Sequence, residues 1–149
     1  MQHYPVTLNL AGKRVLVVGG GRIALRKLQG VVGTGAEIVV VAPVILPEIQ
    51  ALPDITIINR LFQSSDTLYA NIIFSATDNP EVNHLVGQNL QNWQWFNNTG
   101  NANESDFYSP AVLRRADFVV AISTNNLNPV RAKQYKGILQ SFFDGILNS

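Results

Sequence analysis

The sequence contains no cysteine, which excludes a disulfide framework and any metal site built on thiolates. Histidine is almost absent too, since only His3 and His84 are present and they are distant in the sequence. Two distant histidines without matched acids make a poor metal site. We therefore predict no metal site, and we expect His84 to be a surface or packed side chain.

Charge is also scarce, because charged residues make up 14% of the chain and the formal net charge is +1. A typical protein has about 25% charged residues, so part of this surface is expected to be covered by a second copy of the chain. The near-neutral balance gives no reason to expect binding to nucleic acid or to a membrane surface. No run approaches the roughly 20 apolar residues of a membrane-spanning helix, and no signal peptide opens the chain, so a cytoplasmic protein is expected.

What the sequence does contain is a regular alternation of short apolar runs and longer helical stretches, which is typical of a parallel sheet. Strands are predicted at residues 14–18, 37–42, 55–58, 71–76 and 95–97. Helices are predicted between Gly21 and Gly33, over residues 46–52, and from Asn79 to about residue 92. The predicted fold class is α/β, a Rossmann-type parallel sheet with helices on both faces.

The pattern changes near Tyr108. Strands are predicted over residues 111–114 and 118–123, and a final helix opens at Pro129 and reaches about residue 147. We therefore predict a nucleotide-binding domain over residues 1–108 and a small strand-helix extension over residues 109–149.

The turn after the first strand is the strongest motif, because Gly19-x-Gly21-x-x-Ala24 matches the dinucleotide-binding fingerprint. The first glycine allows the turn, the second lets the backbone approach a pyrophosphate, and the small Ala24 lets the helix pack closely on the strand. The amides at the start of the helix would then bind the anion. A turn that binds nothing is the alternative, but the strand before it and the helix after it favour a dinucleotide site.

One part of the fingerprint is missing. An acid about 20 residues further on usually binds the adenosine ribose, but the second strand runs into Ala42, Pro43 and Val44. We expect backbone groups around Pro43 and Val44 to meet the ribose instead, which leaves NADP open as an alternative to NAD. Arg22 is either solvated or close to the pyrophosphate, and its alternative role is as a partner for a 2′-phosphate.

Motifs along nearly the whole chain resemble the precorrin-2 dehydrogenases of siroheme synthesis. They are Gly19-Gly20-Gly21-x-x-Ala24-x-x-Lys27, Ala76-Thr77-Asp78 with Asn83, Asp106-Phe107-x-x-Pro110-Ala111, and Ala121-Ile122-Ser123-Thr124 with Pro129. The resemblance implies an NAD-dependent oxidation of precorrin-2 to sirohydrochlorin, and in some members the insertion of ferrous iron. It also implies a homodimer in which the extension exchanges contacts between subunits.

The resemblance implies cofactor contacts as well, and these map onto Arg22, Ile23, Pro43 and Val44. Thr77 and Asp78 lie at the end of the predicted fourth strand, where such sheets place ligands, and are further candidate cofactor contacts. This sequence departs from the family at one important position. Bifunctional members have an aspartate after the fifth strand that serves both dehydrogenation and iron insertion, and the matching residue here is Gly100. Because glycine can neither accept a proton nor bind iron, ferrochelatase activity is not expected. The chain also ends where relatives usually carry a further helical segment, so we expect a smaller or more open substrate cleft.

A substrate with several carboxylate arms requires cationic donors, and arginine binds carboxylates through two hydrogen bonds. Arg114 and Arg115 are therefore the candidate substrate contacts, and their alternative role is ordinary surface charge. Ser123 and Thr124 end a predicted strand and either bind the edge of the macrocycle or cap a turn.

Asp106 is the acid nearest to the expected position of the base, and its alternative role is to cap or pair within a loop. The leading hypothesis is thus an NAD-dependent precorrin-2 dehydrogenase. A module that binds a nucleotide or a tetrapyrrole without turnover, as a carrier or sensor, is the alternative. A structural subunit whose glycine turn binds nothing is a third possibility.

Overall fold

The structure is a computed structural model that describes residues 3–125 and 128–147. The chain divides into two compact units. The larger unit is Thr7–Phe107, and the smaller one joins residues 3–6 to the described part of the chain from Tyr108 onward. No helix in these described ranges has the length and apolar character needed to cross a bilayer.

The larger unit is built on one five-stranded sheet in which every neighbouring pair of strands is parallel. Its strands are β1 (Arg14–Val18), β2 (Glu37–Val41), β3 (Ile55–Ile58), β4 (Ile72–Ser75) and β5 (Trp95–Asn98). The spatial order is β3-β2-β1-β4-β5. Sequence order reverses between β1 and β4, and in such sheets ligands bind beside the carboxyl ends of the strands at that point. The Rossmann-type fold is confirmed.

Helices cover both faces of this sheet, as predicted. They are α1 (Arg22–Val31), α2 (Pro47–Gln50) and α3 (Pro80–Gln88), with short 3-10 helices at Ser64–Thr67 and Ala102–Glu104. Alternate residues of a strand point to opposite faces. Val17 packs in one core cluster with residues of α1, and Val18 packs in a second cluster with Val86 of α3.

Two helices are shorter than the sequence predicted. The prediction that the third helix extends to about residue 92 is wrong, because α3 ends at Gln88. Asn89 has left the helical conformation, and its side-chain amide donates back to Leu85 O at 2.7 Å. Beyond it, Gln91 N donates to Gln94 Oε1 at 2.8 Å, which turns the chain toward β5. The short helix predicted over residues 46–52 is present but limited to Pro47–Gln50.

The smaller unit contains an antiparallel hairpin and one long helix. The hairpin pairs β6 (Ala111–Arg114) with β7 (Val119–Ile122), and the helix is α4 (Pro129–Leu147). Leu113 and Ala132 are buried in this unit. A row of apolar side chains along α4 is exposed, and its members are Tyr135, Ile138, Phe142 and Ile146. We call this row the α4 stripe.

Candidate functional site

Gly19 follows β1 and begins the turn into α1, and only glycine fits at its position. Its φ angle is +127°, and a Cβ atom there would lie 2.3 Å from the carbonyl oxygen of Ala76. Ala76 N also donates to Val18 O at 2.7 Å. The turn after β1 is therefore packed directly against the chain that leaves β4, as the first glycine of the fingerprint requires.

Gly20 is just as closely surrounded, although the fingerprint leaves this position free. A Cβ atom there would lie 2.1 Å from Val44 O and 2.9 Å from the Cα atom of Ile45. Leu46 N donates to Gly20 O at 2.9 Å. The loop that follows β2 thus packs against Gly20, a constraint that sequence reasoning missed even though the middle glycine of three in a row signalled it.

Gly21 faces open space, because a Cβ atom there would meet no protein atom within 4 Å. It caps α1 without a side-chain hydrogen bond, and no acid lies in the first turn of this helix. The helical ladder begins with Leu25 N donating to Gly21 O at 3.0 Å, so the amides of the first turn have no acceptor within the helix. Free amides and the positive end of the helix dipole together fit a diphosphate group.

The other predicted residues of this edge lie at the start of α1 and directly after β2. Arg22 and Ile23 are exposed at the start of α1, and Ala24 is fully buried in the core below it. Pro43 and Val44 are exposed after β2, and Val44 is 79% exposed. The contact of each of them with a cofactor stays a prediction.

The chain leaving β4 is held by a buried amide that sequence reasoning assigned no role. Asn83 of α3 is 2% exposed. Its Oδ1 accepts from Ser75 Oγ at 2.7 Å and from Thr77 N at 3.2 Å, and it lies 2.7 Å from Thr77 Oγ1. Its Nδ2 donates to Thr77 O at 3.0 Å. Thr77 is therefore fixed, whereas the neighbouring Asp78 is exposed.

Gly100 lies beside this amide, in the loop after β5. A Cβ atom on Gly100 would be 3.4 Å from Asn83 Nδ2 and 3.5 Å from Asn98 Oδ1, which are ordinary contact distances. Its backbone is outside the left-handed region that favours glycine. The local structure therefore has room for a side chain at this position and does not require glycine.

Asp106 forms hydrogen bonds along the outer edge of β5. Its Oδ2 accepts from Phe96 N at 2.8 Å, and its own backbone N donates to Phe96 O at 2.8 Å. Ser105 continues the pattern, because its Oγ accepts from Asn98 N at 2.9 Å. These contacts satisfy the backbone groups of an edge strand, which gives Asp106 the structural role that was its alternative. Its catalytic role stays a prediction.

Glu104 also lies in this loop, and its carboxylate forms hydrogen bonds with neighbouring side chains. Hydrogen bonding from Asn98 is the largest factor lowering its pKa, burial opposes that shift, and His84 and Asn101 lower the pKa further. The distances are 2.8 Å from Asn98 Nδ2, 3.0 Å from Asn101 Nδ2 and 3.3 Å from His84 Nδ1. A carboxylate held in its ionised form in this way is a weak proton acceptor.

Lys27 of α1 has an unusual environment that sequence reasoning did not detect. Its ammonium group lies 5.3 Å from the centre of the Phe74 ring on β4. Burial, with a smaller repulsion from Arg26, lowers the pKa of Lys27 to about 8. A lysine with this pKa is partly neutral in mildly alkaline solution.

The candidate substrate residues belong to the smaller unit and are described within it. Arg114 is exposed at the end of β6, while Arg115 forms an ion pair with Asp144 of α4. Thr124 Oγ1 donates to Asn128 O at 2.9 Å, and Ser123 Oγ accepts from Asn125 N at 3.2 Å. Both hydroxyls thus shape the loop after β7, which agrees with turn capping. Their contact with a substrate stays a prediction.

Within residues 3–125 and 128–147, no three histidine, aspartate or glutamate side chains come together in a way that could hold a metal ion.

Comparison with known proteins places these features in a family. A model of an NAD(P)-binding family matches residues 6–111. The chain is 33% identical over 144 residues to a precorrin-2 dehydrogenase of Bacillus subtilis, covering 95% of this chain and 89% of that protein. It is 35% identical over 144 residues to a precorrin-2 dehydrogenase of Priestia megaterium, covering 95% of this chain and 71% of that protein.

The solved structure named SirC, precorrin-2 dehydrogenase, superimposes with a TM-score of 0.83 at 34% identity, covering 93% of this chain and 70% of that one. Larger proteins named siroheme synthase also match, and this chain covers about 30% of their length.

Proposed function

Because this chain belongs to the precorrin-2 dehydrogenase family, we propose that it oxidises precorrin-2 to sirohydrochlorin with a nicotinamide cofactor, as a step of siroheme biosynthesis. One observation carries this function. The open face of Gly21 and the free amides of α1 form an anion site at the point where the strand order reverses, in a chain that matches these enzymes over almost its whole length.

Different segments of the chain are proposed to bind different parts of the cofactor. Oxidation removes a hydride and a proton, and the nicotinamide ring, when bound, accepts the hydride. Amides at the start of α1 hold the diphosphate, and the loop after β2 meets the adenosine ribose. Thr77 and Asp78 would contact the nicotinamide half at the carboxyl end of β4. Much of the rate then comes from the geometry in which the reactants are held.

NAD is the proposed cofactor rather than NADP. After β2 the exposed residues are Pro43 and Val44, and neither offers a charge to a 2′-phosphate. Arg22 is the nearby cation, but it lies in the first turn of α1, at the diphosphate end. Arg22→Ala should therefore weaken NAD and NADP binding equally. A loss confined to NADP would assign Arg22 to the 2′-phosphate.

Asp106 is proposed as the proton acceptor, and its alternative is a purely structural role at the edge of β5. The variant Asp106→Asn separates the two roles, because its amide oxygen still accepts from Phe96 N while its basicity is gone. A base contributes about 10²–10⁴-fold to the rate, and a loss of this size in a normally folded variant would support catalysis. Full activity would leave Asp106 with its structural role alone.

Iron insertion is proposed to be weak or absent. Gly100 supplies no ligand and no proton acceptor at the position where bifunctional relatives have an acid. An assay of sirohydrochlorin with Fe²⁺ under anaerobic conditions should yield no more siroheme than the uncatalysed control. A protein-dependent rate well above that control would contradict the proposal.

A homodimer is proposed from the α4 stripe. Four large apolar side chains along one helix face stay exposed in the single chain, and the charged fraction of 14% is low for an exposed surface. Light scattering of the purified protein tests the oligomeric state.

The arginines of the smaller unit, Arg114 above all, are proposed to bind the carboxylate arms of the substrate. The cytoplasmic location stays a prediction.

Anaerobic turnover is the decisive experiment. The purified chain, NAD and precorrin-2 should produce NADH together with the absorption spectrum of sirohydrochlorin. The absence of both would contradict the enzymatic function.

Gly100 favours a second candidate function, because it supplies no acid at the position where the resemblance gives one to bifunctional members. A protein that binds NAD or sirohydrochlorin without turnover would be a carrier or sensor. Tight binding by calorimetry together with zero turnover would support this alternative, and measured catalysis would exclude it.

A further inference from the structure

Asn83 is a buried amide whose hydrogen bonds serve the loop after β4 rather than its own helix. Helix α3 is already capped by Asn79, whose side chain accepts from Glu81 N at 2.9 Å and Val82 N at 3.4 Å. Burying an amide as fully as Asn83 is costly unless its polar atoms are satisfied. The partners it uses are therefore informative.

Those partners are Ser75 and Thr77, and the contact with Thr77 is two-sided. Asn83 Oδ1 accepts from Thr77 N at 3.2 Å, and Nδ2 donates to Thr77 O at 3.0 Å. The amide thus bonds both backbone groups of one residue, as a neighbouring strand would. Strand β4 ends at Ser75, so Asn83 holds the backbone in place two residues beyond the end of the strand.

Three loops of the candidate site meet around this contact. Ala76, between Ser75 and Thr77, has its carbonyl oxygen 2.3 Å from the position a Cβ would take on Gly19, in the turn after β1. The Nδ2 atom of Asn83 lies 3.4 Å from the corresponding position on Gly100, in the loop after β5. A shift of Thr77 would therefore be transmitted to Ala76 and to the glycine turn.

We propose that Asn83 is a positioning residue for hydride transfer, which fixes Thr77 and the chain around it against the nicotinamide half of the cofactor. This proposal rests on the proposed dehydrogenase function. Hydride transfer is sensitive to small displacements, and a misplacement of about 1 Å can cost on the order of 100-fold in rate. Asn83 thereby acts on the reaction through Thr77.

The first test compares Asn83→Ala with Val86→Ala. Val86 is fully buried on the same helix, three residues further on, and packs in the core cluster that contains Val18, so its truncation controls for lost stability. We expect Asn83→Ala to lower kcat by about 10- to 100-fold with a smaller rise in the KM for NAD. Val86→Ala should lower the melting temperature and leave kcat within about twofold.

The second test replaces the amide donor of Asn83 by a carboxyl group that can donate to Thr77 O only at low pH. In Asn83→Asp the ionised side chain repels Thr77 O, whereas the protonated carboxyl group can donate to it. We therefore expect the kcat of Asn83→Asp, relative to the unaltered chain, to rise as the pH falls. Circular dichroism at each pH confirms that both proteins remain folded.

The possible outcomes are distinct. Turnover by the unaltered chain, with Asn83→Ala equally active or with a kcat loss no larger than that of Val86→Ala, overturns the positioning role alone. A kcat of Asn83→Asp that runs parallel to the unaltered chain at every pH also overturns it. No turnover by the unaltered chain overturns the proposed function, and the positioning role with it.

Discussion

Replacing Gly20 by alanine tests how the loops of the cofactor site pack, without demanding an unusual backbone. The φ angle of Gly20 lies outside the left-handed region, so alanine can adopt its conformation. The change is therefore purely steric. The new Cβ atom would be 2.1 Å from Val44 O and 2.9 Å from the Cα atom of Ile45, and both of these are backbone atoms that cannot rotate away.

The size of the effect follows from that overlap. Ordinary contact begins near 3.4 Å, so Val44 O must retreat by about 1.3 Å. Overpacking of this kind costs about 1–3 kcal/mol. Each kcal/mol lowers the melting temperature of a domain of this size by about 2–4 °C, so we expect a decrease of about 2–12 °C. The displaced loop carries the predicted ribose contacts, and NAD binding should weaken by about tenfold, which corresponds to 1.4 kcal/mol.

Gly21→Ala is the matched control, because it adds the same methyl group one residue later. Its Cβ atom meets no protein atom within 4 Å, so stability should change by no more than the roughly 1 kcal/mol of an altered helix cap. The methyl group would enter the open space assigned to the diphosphate, and NAD affinity should fall at least as far as in Gly20→Ala. Thermal unfolding and calorimetric titration measure both quantities. Gly20→Ala with unchanged melting and affinity, or Gly21→Ala with normal NAD affinity, would refute this account of the site.

Three further predictions follow from other parts of the chain. The folded-state pKa of Lys27, about 8, lies below its ordinary value of 10.5, so the folded protein loses this proton first and stability should rise between pH 8 and 10.5. Lys27→Met should abolish that rise in urea titrations at successive pH values, and an unchanged rise would contradict the burial of this ammonium group. Phe142→Asp places a charge on the α4 stripe and should convert a dimer into a monomer by light scattering; a dimer of unchanged stability would show that the stripe is not the interface. Gly100→Asp should fold with a melting temperature within a few degrees of the unaltered chain, since its Cβ has room, and should insert Fe²⁺ faster; a clear loss of stability would contradict the space described there.

The fold was largely predictable because the deciding signals are local. Residues 14–18 form an apolar, β-branched run, and the glycines after them mark the turn into α1. Asn79 and Pro80 predicted the start of α3 from capping chemistry alone. Its end was predicted wrongly, because Asn89 leaves the helix to bond within its own turn while Gln94, five residues on, redirects the chain. No periodicity in the sequence carries that information.

The candidate site was predictable only where the chemistry depends on a fixed spacing. Gly19, Gly21 and Ala24 follow such a spacing. The constraint on Gly20 and the burial of Asn83 arise from contacts between segments distant in the sequence. Asp106 shows the converse, because an acid in a polar loop suggests a catalytic group, whereas its hydrogen bonds to Phe96 can be seen only once β5 is in place.

The contrast between Gly100 and Asn83 bears on how a chain with the proposed oxidation activity would lack the iron insertion of bifunctional members. Iron insertion needs an atom that binds the metal or accepts the protons that leave the macrocycle. Better geometry cannot replace a side chain that is missing. Hydride transfer depends mostly on the relative placement of two bound molecules, and we propose that backbone held in three loops controls that placement. Asn83 joins the loop after β4 to the space beside Gly100. An acid missing at Gly100 would therefore affect the two proposed reactions differently, because iron insertion would lack a ligand, whereas oxidation would rely on the placement of the cofactor and on another proton acceptor, for which Asp106 is proposed.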